Sequence, residues 1–188
     1  MRAAILKKAE QQLMSGGFDK LNFASIAAEL KTTRANLHYH FKNKETLAIE
    51  VTSQYGNRCC NEFSAMRAAF KGNFIGFFAA MDQSFWDKGQ REDDSRVCVT
   101  LAADPELPEP LVKLSQEFYS TINGILESVL QDAVDNKEIS SETDVKREAT
   151  RAHVIMMGMM MSAMHMSDPE RVKQQLGGIL TEWANSLE

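Results

Sequence analysis

The sequence predicts an all-α protein: an N-terminal three-helix domain containing a helix-turn-helix, then a larger helical domain, with about nine helices in all. Three observations lead there. Apolar residues recur three and four apart along nearly the whole chain of 188 residues, and the one alternating stretch, "RVCVTLA", suits a buried helix equally well. Helix start and stop signals punctuate the chain at regular intervals. Charge is also unevenly divided. Residues 1–47 hold eight Lys and Arg against four acids, while the whole chain carries a net −5. That asymmetry suggests a basic module on an acidic body.

Each element has its own signal. Ala4, Ile5, Ala9 and Leu13 share one face of a first helix, which "SGGF" closes with glycine. Asn22 is placed to cap a short second helix whose apolar side is Phe23, Ile26, Ala27 and Leu30. "KTT" is a tight break, and Thr33 caps a third helix from Arg34 to Phe41. "KNK" breaks the chain again, and Lys44 opens a longer helix that runs to the neighbourhood of Met66. "NFIGFFAAMDQSFW" reads as an apolar helix, and another is expected from Ser95 to Ala103. The loop "DPELPEP" follows, its prolines unable to sit inside a helix. Leu111 to Asn136 is long and amphipathic. Ser141 with Asp144 resembles a capping pair before a helix from Val145 to the region of Met166. Asp168-Pro169 starts a last helix through Trp183 and Leu187.

Composition narrows the setting. With 44% hydrophobic and 25% charged residues the chain is ordinary globular material. Its start lacks a continuous apolar segment of signal-peptide type. The longest apolar run, Val154 to Met166, falls short of the roughly 18–20 residues that span a bilayer. Three cysteines, two of them adjacent at Cys59 and Cys60, fit a reducing cytoplasm better than a disulfide framework. No membrane association and no cofactor is expected.

The densest chemistry lies in "TTRANLHYHFKNKETL". Ile26, Ala27, Leu30, Leu37 and Phe41 can make the small core of two helices joined by a short break, the arrangement of a helix-turn-helix. Thr33, Arg34, Ala35, Asn36, His38, Tyr39 and His40 are then left outside that core. Arginine pairs with guanine O6 and N7, asparagine with adenine N6 and N7, and alanine meets a thymine methyl; Tyr and His reach phosphate. Lys44 adds a cation beside free backbone N–H groups, a natural phosphate position. A metal pair at His38 and His40 is disfavoured, because positions two apart diverge on a helix and no third ligand is near.

"GFDKLNFASIAAELKTTRANLHYHFKNKETL" resembles the DNA-binding domain of the tetracycline-repressor (TetR) family. Gly17 and Phe18, Ile26-Ala27, Thr33, Leu37, His40-Phe41, Lys44 and Leu47 match its pattern with correct spacing over about residues 2–50. Two positions depart. The turn glycine is Lys31, which has either to adopt an unusual backbone conformation or to use a different turn. The first aromatic is His38, with Tyr39 following. The resemblance implies a DNA-binding domain at residues 1–48 in which Thr33, Arg34, Ala35, Asn36, His38, Tyr39, His40 and Lys44 face a double-stranded DNA operator. It also implies an effector-binding and dimerisation domain at residues 49–188, and a homodimer reading two half-sites.

In the body, aromatic and methionine side chains crowd beyond what one helix face can bury. Phe70, Phe77, Met81, Trp86, Leu101, Phe118 and Ile122 are candidates to line a pocket for an apolar or aromatic small molecule. Cys98 joins them as a candidate sensor of electrophiles or oxidants, with Arg96 near in sequence. "MMGMMMSAMHM" holds seven methionines between Met156 and Met166. Thioethers bind Cu(I), but Gly158 and Ser162 four apart favour close helix packing. The resemblance implies a dimer interface formed by residues 145–166 and 169–187 of each subunit. The expected function is a dimeric, ligand-responsive bacterial repressor, released from a near-palindromic operator by a small molecule. The alternatives are a cysteine-based sensor of the same fold, or an all-helical ligand-binding protein or enzyme without DNA binding; no catalytic constellation supports an enzyme.

Overall fold

The computed structural model describes residues 1–87, 104, 107–165 and 168–188, and all regular structure among them is helical. The helices are α1 (Arg2–Lys20), α2 (Phe23–Glu29), α3 (Arg34–His40), α4 (Lys44–Ala69), α5 (Phe74–Asp87), α6 (Glu109–Asp135), α7 (Val145–His165), α8 (Pro169–Leu176) and α9 (Ile179–Asn185). The helix expected over Ser95 to Ala103 lies outside the described residues. Two compact units emerge. One contains Met1–Arg58 with residues 104 and 107–118, the other residues 59–87 and Tyr119–Glu188.

In the first unit, α1 buries Ile5, Leu6, Ala9 and Leu13, whereas Ala4 faces solvent. The apolar stripe is therefore rotated slightly from the one expected, with Leu6 in place of Ala4. The glycines act where expected: Gly17 has φ 72°, and the helix kinks at Gly16 and Gly17 before one further turn to Lys20. Asn22 caps α2, its Oδ1 accepting from the backbone N–H groups of Ala24 (2.8 Å) and Ser25 (3.2 Å). Gln12 secures this junction from α1. Its Oε1 accepts from Asn22 N (2.8 Å) and its Nε2 donates to Ser25 Oγ (3.1 Å).

Helix α2 ends at Lys31 in the left-handed conformation, φ 52°. Thr32 N–H donates to Ala27 O and Lys31 N–H to Ala28 O, which closes a Schellman motif. The chain thus keeps the turn a glycine would make, with a lysine bearing its strain. Thr33 Oγ1 then accepts from Asn36 N (3.2 Å) and caps α3. Ile26, Ala27, Leu37 and Phe41 are buried together with Leu47, while Leu30 is only half-buried.

In the second unit α5 and α9 pack face to face, with the Phe78 and Trp183 rings edge-on at 4.9 Å. The expected single last helix is divided by Gly177 and Gly178, the latter at φ 88°. Asp168 caps α8 through Arg171 N (3.2 Å). Gly178 has no side chain to cap α9, and Asp82 of α5 supplies one. Its Oδ2 accepts from Thr181 N (2.9 Å) and Thr181 Oγ1 (2.6 Å). Trp183 Nε1 donates to Glu148 of α7 (3.1 Å), and that carboxylate also accepts from Arg151 (2.8 Å). Helix α7 is capped by Asp144, through Arg147 N (3.2 Å); Ser141 is an exposed turn residue instead of half of a capping pair.

Candidate nucleic-acid interface

Helix α3 is seven residues long, and Leu37 is its one fully buried side chain. Its sides therefore follow from angle alone at about 100° per residue. Ala35 and Tyr39 lie opposite Leu37, and Tyr39 is 85% exposed. Thr33 and Arg34 are exposed at the N-terminal end, where recognition helices meet base edges.

The remaining predicted residues are held by neighbours to different degrees. Asn36 is half-buried, and its Nδ2 donates to Thr32 Oγ1 (2.9 Å), leaving its carbonyl oxygen for other contacts. His38 is solvent-accessible but turns back. Its ring centroid is 4.9 Å from that of Phe23, and its Nδ1–H donates to the Lys42 carbonyl (3.2 Å). A carbonyl only accepts, so this bond requires a proton on Nδ1. His40 is half-buried with its ring edge-on to Tyr39 at 5.3 Å. Lys44 is half-buried as well. Its Nζ lies 4.2 Å from the Phe18 ring centroid, 3.4 Å from the Asp19 carbonyl and 3.9 Å from the Asp19 carboxylate.

These partners explain two matching residues of the sequence pattern. Phe18 and Lys44 form a cation–π contact that fixes the start of α4 against the end of α1. Spacing alone points Lys44 at phosphate; Phe18, the aromatic after the glycine pair, is the sequence feature that signals its second role. Arg2, 5.0 Å above the Phe41 ring, was not anticipated at all. Lys8 pairs with Glu29 at 3.0 Å, and this partner lowers the Glu29 carboxyl below its ordinary value.

The candidate effector residues are distributed over both units. In the second, Phe77, Met81, Trp86 and Ile122 are buried and Phe70 is half-buried. Phe70 and Phe77 line a shallow notch with Phe74, Val129 and Ala133, rimmed by Arg67, Asp132 and Glu138. Its free space is about that of a single water. Phe118 belongs to the first unit, half-buried and edge-on to Tyr55 at 6.2 Å. Cys98 and Leu101 lie outside the described residues. Among the described residues no His, Cys, Asp or Glu cluster is suited to a metal ion. No described helix is long and apolar enough to cross a membrane.

Residues 5–51 match the family described as "Bacterial regulatory proteins, tetR family". The match runs from α1 into α4 and includes α2 and α3. The fold of the whole chain is likewise that of TetR-family regulators. A TetR-family transcriptional regulator from Agrobacterium tumefaciens superposes with TM-score 0.86 at 20% identity, over 99% of this chain and 96% of that one. A TetR transcriptional regulator from Legionella pneumophila gives 0.76 at 21% identity, over 98% and 96%. Escherichia coli NemR in its reduced form gives 0.80 at 14% identity, over 95% of each chain. Among curated proteins nothing matches the chain. A tetR-family match over residues 5–51 and a TetR-regulator fold thus coincide in one chain, with α3 inside the matched segment.

Proposed function

We propose that this TetR-fold protein is a dimeric, ligand-responsive repressor of transcription. Its DNA-binding part is residues 1–48, and residues 49–188 bind effector and partner subunit. The observation that carries the DNA-facing part is the capped α3 helix, anchored by Leu37 and showing Arg34, Ala35 and Tyr39 to solvent. Thr33, Asn36, His38, His40 and Lys44 complete the surface, the last three alongside their contacts within the domain. The pairing surface is α7 with α8 and α9. Val154 and Met161 on α7 are exposed at 61% and 47%, and Gly158 between them has open space above it. Such a strip at helical spacing is the kind that a second α7 covers.

The effector reading rests on the buried apolar side chains Phe77, Met81, Trp86 and Ile122. A Saccharomonospora viridis regulator of this fold, TM-score 0.74 and 18% identity over 95% of this chain and 94% of that one, is in complex with choline. Small organic ligands therefore suit this architecture. An effector that changes the spacing of two α3 helices lowers operator affinity, because both must sit in successive major grooves.

The test is selection of bound DNA from a random pool by the full chain. A near-palindromic motif is expected, with salt-dependent affinity. Arg34→Ala should weaken the selected site about fivefold or more, an effect on the order of 1–3 kcal/mol. Equal binding of wild type and Arg34→Ala to that site refutes the assignment of α3.

A further inference from the structure

The side chains of α3 and of Lys44 at the start of α4 differ in how far they are held within the domain. Asn36 is joined to Thr32, His38 to Phe23 and the Lys42 carbonyl, His40 lies edge-on to Tyr39, and Lys44 rests on Phe18. On the ridge opposite Leu37 stand Ala35 and Tyr39, one turn apart and therefore adjacent. This ridge is apolar at its centre: a methyl group and an aromatic ring, with the cation of Arg34 beside it at the N-terminal end. His38 stands at the aromatic position of the family pattern, and Tyr39 follows one residue on, about 100° further round the helix. The histidine left in the pattern's aromatic position points back to Phe23, and the tyrosine takes the outermost place.

Major-groove edges are mostly donors and acceptors, and the C5 methyl of thymine is their apolar exception. We infer that Ala35 and Tyr39 form an apolar ridge that reads thymine methyl groups, making Tyr39 a specificity-determining residue of this chain. The inference rests on the DNA-binding reading above. A ring at the middle of the outward ridge faces base edges, whereas phosphate contacts come from the flanks of a recognition helix. Arg34 then supplies the polar part of the readout, and the two kinds of contact are separable by experiment.

The experiment uses the full chain and the operator selected from a random pool, resynthesised with uracil replacing thymine one position at a time. Uracil pairs like thymine but lacks the methyl. At the one or two positions under the ridge, each replacement should weaken wild-type binding about threefold to fourfold, as expected for one buried methyl. Tyr39→Phe should keep that preference. Tyr39→Ala should reduce the thymine-to-uracil ratio towards one at those positions, while the response to guanine replacement beside Arg34 stays as in wild type. Since Tyr39 is 85% exposed, both variants should retain the wild-type helical circular dichroism. The inference is overturned if wild type binds both operators equally at every position, or if Tyr39→Ala keeps the full preference. Failure to enrich any DNA would instead overturn the DNA-binding reading, and this inference with it.

Discussion

His153 gives the protein a defined weakness in acid. It lies on α7, 4% exposed, its ring stacked on Tyr119 at 4.0 Å and 15° between planes, and its Nδ1 has no hydrogen-bond partner. Burial opposes the charged form and lowers its pKa from 6.5 to about 4. The folded protein therefore holds this ring neutral, while the unfolded chain takes up a proton near pH 6.5. Stability from this group is complete above pH 6.5 and is lost as pH falls towards 4. At 1.36 kcal/mol per unit, the loss between pH 7.5 and pH 4.5 is on the order of 2–3 kcal/mol. The assay is urea unfolding at fixed protein concentration across that range, for wild type and His153→Gln. The variant is expected to start less stable, because a tight stack is replaced, yet to lose less on acidification by about that amount. Parallel pH profiles for the two proteins would refute the argument, as would an NMR titration placing His153 near 6.5.

Other outcomes follow from contacts of similar clarity. Asp82→Ala removes the cap of α9 and strands the Thr181 N–H, so thermal or urea unfolding should show a loss of about 1–2 kcal/mol. Lys31→Gly relieves a left-handed lysine at φ 52° and should raise stability by about 0.5–1 kcal/mol after the entropy of the unfolded glycine is counted. Val154→Asp puts a charge in the exposed strip of α7. Sedimentation should show dimers for wild type and monomers for this variant, with unchanged circular dichroism.

The local grammar of the chain was legible because its signals act over a few residues. Asn22, Thr33 and Asp168 cap the helices they precede, and Gly17 and Lys31 take the left-handed conformations that their positions in the pattern demand. The division of the last helix was not legible, since its second half depends on Asp82, 99 residues away in sequence from Thr181. The proposed recognition surface shows the same boundary. Periodicity around Leu37 correctly set Arg34, Ala35 and Tyr39 outside. It could not show that His38 would be drawn to Phe23 or Lys44 to Phe18, because those attractions join side chains from different helices. The effector candidates are harder still. Hydrophobic residues that line a cavity and those that fill a core obey one pattern, and Cys98 and Leu101 fall outside the described residues.

Gln12, Asn22, Thr33 and Asn43 make the polar joints of the N-terminal domain, and none of them stands on the ridge of Ala35 and Tyr39. Thr33 belongs to both the joints and the proposed DNA surface, whereas the ridge itself carries no joint. If that ridge reads DNA as proposed, exchanging Ala35 and Tyr39 changes the cognate word while the frame that holds it stays in place.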